Sequence, residues 1–327
     1  MNQNETVLVT GGAGYIGSWV VSRLLGEGYR VISFDCLKFG GRSLLGVVGH
    51  PRFTFVRGDI RNAAEVKAVM KNVDYVAHLA ALVGEAACKS EPEATKQINV
   101  EGTRIVTKTA VELGVRKIVC FSTCSSYGVQ DTTRMANEQA TLNPVSLYAE
   151  TKIAGEKILF DACAGRDIAG TILRPSTVHG PSARMRFDLM VNHFVRDAFV
   201  TGKLTILGPD MWRPLMWVGD AGKAILAVFR AEPKLVRNEV FNLGGVEGNY
   251  RKREIGDIIK RDFLPKLDLV IGQSDPDLRS YRVDFTKIES KLGFKLSKTL
   301  QEAIGDLCQM HRDGIIDDPS SALYQNG

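Results

Sequence analysis

Tyr148 and Lys152 stand four residues apart, a spacing that puts both side chains on one face of a helix. A phenol ordinarily titrates near ~10 and is a poor base at neutral pH. A lysine ammonium one helical turn away lowers that value. A tyrosine tuned in this way takes a proton from an alcohol while the carbon bearing that alcohol is oxidised. Thr123, just past the apolar run Ile118-Val119-Cys120-Phe121, offers a hydroxyl to hydrogen-bond the same oxygen. Tyr-x-x-x-Lys alone describes many solvated helix faces, so the reading rests on what precedes it.

What precedes it is a strand that breaks into glycines. Val7-Leu8-Val9-Thr10 runs into Gly11-Gly12-Ala13-Gly14-Tyr15-Ile16-Gly17, after which Trp19, Val20, Leu24 and Leu25 recur at helical spacing. Such glycines let the chain turn sharply, let backbone approach a pyrophosphate, and let a helix pack close to its strand. The helix start presents free N–H groups and a positive dipole end to phosphates. The next strand, Arg30-Val31-Ile32-Ser33-Phe34, ends in Asp35, roughly 20 residues past the turn, where an acid binds the adenosine ribose. Its charge repels a 2′-phosphate, so NAD is expected rather than NADP. A nicotinamide ring then adds a second positive charge near Tyr148.

The later strand ends follow the same logic. Phe53-Thr54-Phe55-Val56 ends in Arg57-Gly58-Asp59-Ile60, where Asp59 either contacts adenine or caps the helix expected over 63–71. Small residues after His78 (Leu79, Ala80, Ala81) leave room for a cofactor against the backbone. Asn99, on a long helix over 93–113, is expected near the site, bonded to backbone or water. A sixth strand covers 169–175, and beyond it the alternation loosens.

The chain has 327 residues, 44% hydrophobic, enough for two lobes. The net charge of +5 is scattered, without a basic run interleaved with aromatics, which argues against nucleic acid. Six cysteines without a Cys-x-x-Cys pair or a nearby histidine cluster argue against zinc or a disulfide framework. Reduced thiols, a polar start without a signal peptide, and no membrane-length apolar run predict a cytoplasmic protein. Residues 176–215 read as irregular. Helices are expected at 218–230, 252–263 and 300–312, strands at 240–243 and 268–271, and a frayed segment after Asp317. The expected domains are 1–175 plus 216–245 for the dinucleotide, and 176–215 plus 246–327 for the substrate.

Taken together, Gly11-x-x-Gly14-x-x-Gly17, Asp35, Gly58-Asp59-Ile60, His78-Leu79-Ala80-Ala81, Asn99-Val100-x-Gly102-Thr103, Ser122-Thr123 with Tyr127-Gly128, Tyr148-x-x-x-Lys152 and Leu173-Arg174-Pro175 resemble one family in order. It is the extended short-chain dehydrogenase/reductases, in particular their NAD-dependent nucleotide-sugar epimerases and dehydratases. Arg213-Pro214-Leu215-Met216-Trp217-Val218-x-Asp220, then Asp284 to Lys287 with Leu292-Gly293, extend the match. The resemblance implies an α/β fold, a Rossmann doubly wound parallel sheet with a smaller, discontinuous C-terminal substrate lobe. It also implies bound NAD, a nucleoside-diphosphate sugar as partner, and a homodimer built on the 93–113 and Tyr148 helices. By resemblance, Gly11, Gly14, Tyr15, Ile16 and Gly17 cradle the cofactor, with Asp35, Asp59 and Ile60 at the adenosine end. Leu79, Ala80, Ala81 and Asn99 flank its middle, and Tyr148, Lys152 and Pro175 its nicotinamide. The substrate falls to Cys124, Ser125, Thr177, Asn192, Arg213 and Arg279, with Arg213 on a nucleotide phosphate and Arg282 beside Arg279.

The family's dehydratases carry an Asp-Glu pair after the catalytic Thr; here Cys124 and Ser125 stand there, which argues against dehydration. Cys124 is either an acid/base for epimerisation or small packing. Thr177 replaces a common Asn, and His179 a common Tyr; His179 is either an acid/base or a satisfied loop residue. Arg186 and Asp188 are placed at the sugar. The leading expectation is a C4 epimerase, in which Tyr148 removes the C4 hydroxyl proton, a 4-keto sugar turns over, and hydride returns to its other face. The alternative is an NAD(P)H-dependent 4-ketoreductase using the same residues. A non-catalytic NAD-sensing scaffold is opposed by the intact Thr123, Tyr148 and Lys152.

Overall fold

A computed structural model describes residues 5–272, 277 and 279–326. The polar residues 1–4 lie outside that range. Seven parallel strands form one sheet. From edge to edge they are Glu239–Leu243, Ala169–Pro175, Lys117–Phe121, Tyr75–His78, Thr6–Thr10, Arg30–Asp35 and Phe53–Arg57. Alternate residues feed opposite faces: Val7 and Val9 join one apolar cluster, and Leu8 joins the other. Helices cover both faces, as an all-parallel sheet requires. Strand order reverses between Thr6–Thr10 and Tyr75–His78, and a crevice opens at the carboxyl ends there.

The expected 93–113 helix is interrupted. Pro92–Lys96 and Thr103–Glu112 are α-helical, but Gln97–Gly102 between them is a π turn. Asn99 sits in that wider turn. Gly102 packs on Ile60; a Cβ there would meet Ile60 Cδ1 at 2.5 Å.

Residues 176–215 are more ordered than expected. They hold strand Thr177–His179, helix Met190–Thr201 and strand Lys203–Ile206. That helix has no side-chain cap at Leu189 and is rich in β-branched and aromatic residues of low helix propensity, so local signals hid it. Trp212–Trp217 pairs with Asn249–Arg251 and Thr177–His179 in a small sheet, and Asp268–Ile271 pairs with Lys203–Ile206. The boundary expected at 216 therefore falls inside a strand. Among the described residues, no helix is long and apolar enough to cross a membrane.

The segment expected to fray is docked instead. Ala322–Tyr324 is a 3-10 turn whose Tyr324 carbonyl accepts from Phe187 N–H at 2.8 Å. The Tyr324 and Phe187 rings meet edge to face, with centroids 5.5 Å apart. These contacts are long-range, so no periodicity in the segment announces them.

Candidate active site

The crevice is a cleft of about 450 Å³, within the ordinary size range for a ligand site. Its floor is the glycine turn. Gly11 has φ +74° and lies so close to the next strand's turn that a Cβ would sit 2.7 Å from Ala80 N. At Gly17 a Cβ would be 2.0 Å from the Gly11 carbonyl, so the first helix can press onto the turn only without a side chain. Gly14, the residue before that helix, has no side-chain cap, which leaves the helix N–H groups to the cleft.

Asp35 is braced by Leu37 N–H at 2.8 Å and Ala13 N–H at 3.0 Å, tying the acid to the glycine turn. Burial raises its pKa against the pull of those two bonds. Asp59 forms a fork with Arg61, with contacts of 3.0 and 2.6 Å, that holds its carboxyl below the usual range. It does not cap the next helix: Asn62 does, and that helix is Ala63–Val69.

Gly11, Gly14, Tyr15, Ile16, Gly17, Asp35, Asp59 and Ile60 all line the cleft, as do Leu79, Ala80, Ala81, Tyr148, Lys152 and Pro175. Asn99 does not. Its amide accepts from Leu82 N–H at 2.8 Å and donates to Leu82 O at 2.9 Å and Thr151 Oγ1 at 3.1 Å. It shapes the cleft wall from one layer behind, because the π turn aims it at Leu82. His78, bonded to Thr10 and Thr103, is held neutral by burial and the Lys152 charge, its pKa at about 3.

At the reacting end, Tyr148 and Lys152 rise from helix Leu147–Cys163, capped by Ser146. The Thr123 hydroxyl neighbours the Tyr148 phenol. Burial lifts the phenol above its ordinary range; the Thr123 hydroxyl and the Arg186 charge draw it back. Burial also brings Lys152 down to about 8. The lysine thus titrates close to neutrality itself, which sequence spacing did not reveal. Behind Thr123, Ser122 donates to Glu156, which forks with Arg174 at 2.6 and 2.8 Å. This buried pair holds the strand end.

None of the six residues expected at the substrate lines this cleft, and Cys124, Asn192, Arg213 and Arg279 bond to other parts of the protein. Cys124 is buried and donates to the Arg174 carbonyl at 3.1 Å, and burial drives its thiol pKa far up. Asn192 accepts from Gly180 N–H at 2.9 Å and donates to Tyr15 Oη and Arg186 O, fixing the Tyr15 ring from behind. Thr177 lies in the small sheet, outside the cleft. Arg213 pairs with Asp277 at 3.0 Å. Arg279 grips the same carboxylate, and also Glu85 at 2.8 Å and Ser125 Oγ at 3.3 Å. Burial alone would raise Asp277; the two arginines outweigh it and hold the carboxyl far below its usual range. Arg282 lies over the Trp212 ring, 4.9 Å from its centroid. His179 stands outside the cleft in strand Thr177–His179 and is not a satisfied loop residue: its Nδ1 has no partner, and burial lowers its pKa to about 3. It borders a separate cavity of about 340 Å³ with Trp217 and Ser297.

Arg184 and Asn326 are among the cleft residues that escaped sequence reasoning. Arg184 lines the cleft with its guanidinium 4.4 Å from the Phe39 ring centroid. It donates to the carbonyls of Met185 and Gln325, and burial with the Arg186 charge lowers it to about 10. Its position after the sixth strand, in a loop at the same sheet edge, was the available signal. Asn326 had none. Arg186, expected at the sugar, does line the cleft and forks with Asp188.

Residues 7–244 match the model of the NAD dependent epimerase/dehydratase family. The chain is 30% identical over 323 residues to a UDP-glucose 4-epimerase of Mycolicibacterium smegmatis, covering 94% of this chain and 98% of that one. It is 28% identical to UDP-glucuronic acid decarboxylase 6 of Arabidopsis thaliana, with 92% and 87% covered. Among solved structures, MoeE5 in complex with UDP-glucuronic acid and NAD superposes with a TM-score of 0.82 at 26% identity, covering 94% and 99%. The chain belongs to the NAD-dependent epimerase/dehydratase family, and its cofactor is NAD. The residues fit that group: a glycine cradle that a Cβ would fill, an acid at the second strand's end, and a helix start with open N–H groups.

Proposed function

We propose that this member of the NAD-dependent epimerase/dehydratase family interconverts the C4 epimers of a UDP-sugar through a transient 4-keto sugar. The observation that carries the reading is that Tyr148 and Lys152, one turn apart on helix Leu147–Cys163, both line the cleft, with the Thr123 hydroxyl beside the phenol. The similarity to a UDP-glucose 4-epimerase over nearly the whole chain supports it.

NAD, when bound, supplies the hydride acceptor and donor for the sugar's C4. The protein does the rest. Tyr148 Oη takes the C4 hydroxyl proton and later returns it. Thr123 holds the same oxygen in line. Lys152, as a cation, favours the phenolate. Cys124 takes no part. Arg213 and Arg279 meet the nucleotide's diphosphate after loosening from Asp277 and Glu85. A dinucleotide-binding domain with a smaller, discontinuous substrate lobe, a homodimer on the Thr103–Glu112 and Leu147–Cys163 helices, and a cytoplasmic site complete the proposal.

The test is to denature purified protein, identify the released dinucleotide, and offer UDP-glucose, UDP-galactose and their N-acetyl and uronic acid counterparts to intact protein. Retained NAD⁺ and interconversion of two UDP-sugars without net NADH change is the expected result. Stoichiometric NADH consumption on a keto sugar would replace the epimerase with a ketoreductase.

A further inference from the structure

The segment 321–326 reaches the cleft itself. Its last described residue, Asn326, is 7% exposed and lines the cleft with Tyr148, Arg184 and Arg186. Three contacts hold the segment there: Phe187 N–H on the Tyr324 carbonyl, Arg184 on the Gln325 carbonyl at 3.1 Å, and Asn326 Nδ2 on the Val83 carbonyl at 3.3 Å. The Val83 contact fixes which way the amide points. A carbonyl only accepts, so the amide nitrogen must face Val83. What remains is Oδ1, a buried acceptor without a hydrogen-bond partner. Such an orphan is costly in a folded protein and calls for an explanation.

We infer that Asn326 is a ligand-binding residue of this cleft, accepting a hydrogen bond from a donor group of the bound ligand. An acceptor excludes a phosphate oxygen. It selects a hydroxyl or a carboxamide N–H, present on the nicotinamide riboside part of the dinucleotide and on the sugar. The segment 321–326 is therefore part of the binding site, and Tyr324, clasped on Phe187, is the positioning residue that delivers Asn326. The inference rests on the NAD and nucleotide-sugar reading above.

The experiment measures equilibrium binding, not turnover. Protein stripped of dinucleotide is titrated with NAD, and NAD-loaded protein with UDP and with UDP-glucose, for wild type, Asn326→Ala and Tyr324→Ala. Melting curves confirm that each variant is folded. Asn326→Ala is expected to weaken one ligand roughly five- to tenfold, and Tyr324→Ala to weaken the same ligand. A loss confined to NAD assigns the donor to the dinucleotide. A loss for UDP-glucose with UDP and NAD unchanged assigns it to the sugar. Unchanged affinity for all three in Asn326→Ala overturns the inference. Wild-type protein that binds NAD but none of the sugars tested refutes the UDP-sugar reading, and the NAD arm still decides the role of Asn326.

Discussion

At the dinucleotide end of the cleft, Gly11, Gly14 and Gly17 hold backbone open to a ligand, and Asp35 is braced by two N–H groups beside the space it serves. On the sugar side, Arg213, Arg279, Asn192 and Cys124 are all engaged with other parts of the protein. One end is preorganised; at the other, under the proposed function, the two arginines exchange internal partners for ligand atoms. Preorganisation favours tight, retained binding, whereas exchange favours release. That division suits a cofactor kept through many cycles and a substrate that comes and goes.

The largest expected effect is Tyr148→Phe, which removes the acid/base and should lower turnover by about 10²- to 10⁴-fold. NAD content should stay at the wild-type level, measured by releasing and quantifying the dinucleotide. Gly17→Ala attacks the preorganised end: its Cβ collides with the Gly11 carbonyl, so roughly 3 kcal/mol of stability is lost. Bound NAD should fall with it, while a variant that keeps full NAD content would break the comparison. The two buried histidines sharpen it through pH. Both titrate near 3 when folded, well below an ordinary histidine. Between that value and about 6.5 the unfolded chain binds protons that the folded protein refuses, so stability falls as pH falls, by about 2 kcal/mol per histidine at pH 5. His179→Leu should flatten that slope and cost little at pH 7, since one nitrogen is already unpartnered. His78→Leu should flatten it equally but be destabilising at pH 7, because His78 bonds Thr10 and Thr103. Chemical denaturation at both pH values reads this.

Glu85→Gln removes one competitor for Arg279 and should tighten UDP binding about three- to tenfold with NAD affinity unchanged, by titration calorimetry. Weaker UDP binding would mean that Glu85 presents Arg279 instead of restraining it. The smallest effect is one of shape. Lys152 loses its proton near pH 8, so kcat/KM should fall on an alkaline limb there. Lys152→Arg stays charged, and its lower activity should lack that limb.

The preorganised end was legible because its determinants are local. A glycine turn, an acid at the next strand end and a small-residue turn each announce themselves within a few residues. The backbone bond expected of Asn99 is made to Leu82, but the π turn that aims its amide there is invisible in periodicity. The internal partners of Asn192 and Arg213 were not legible, because nothing local tells that Gly180 and Asp277 bond to them. Helix Met190–Thr201 and the docked 321–326 segment depend on contacts with distant residues and carry weak local signals.

The π turn at Gln97–Gly102 also has a hereditary consequence. It holds more chain than the α-turn it replaces, and deleting one codon there would restore regular helix. That repair would swing Pro92–Lys96 by about 100° about the axis, and separate Asn99 from either Leu82 or Thr151. Once both bonds depend on the surplus residue, a lineage has no neutral single step by which to lose it.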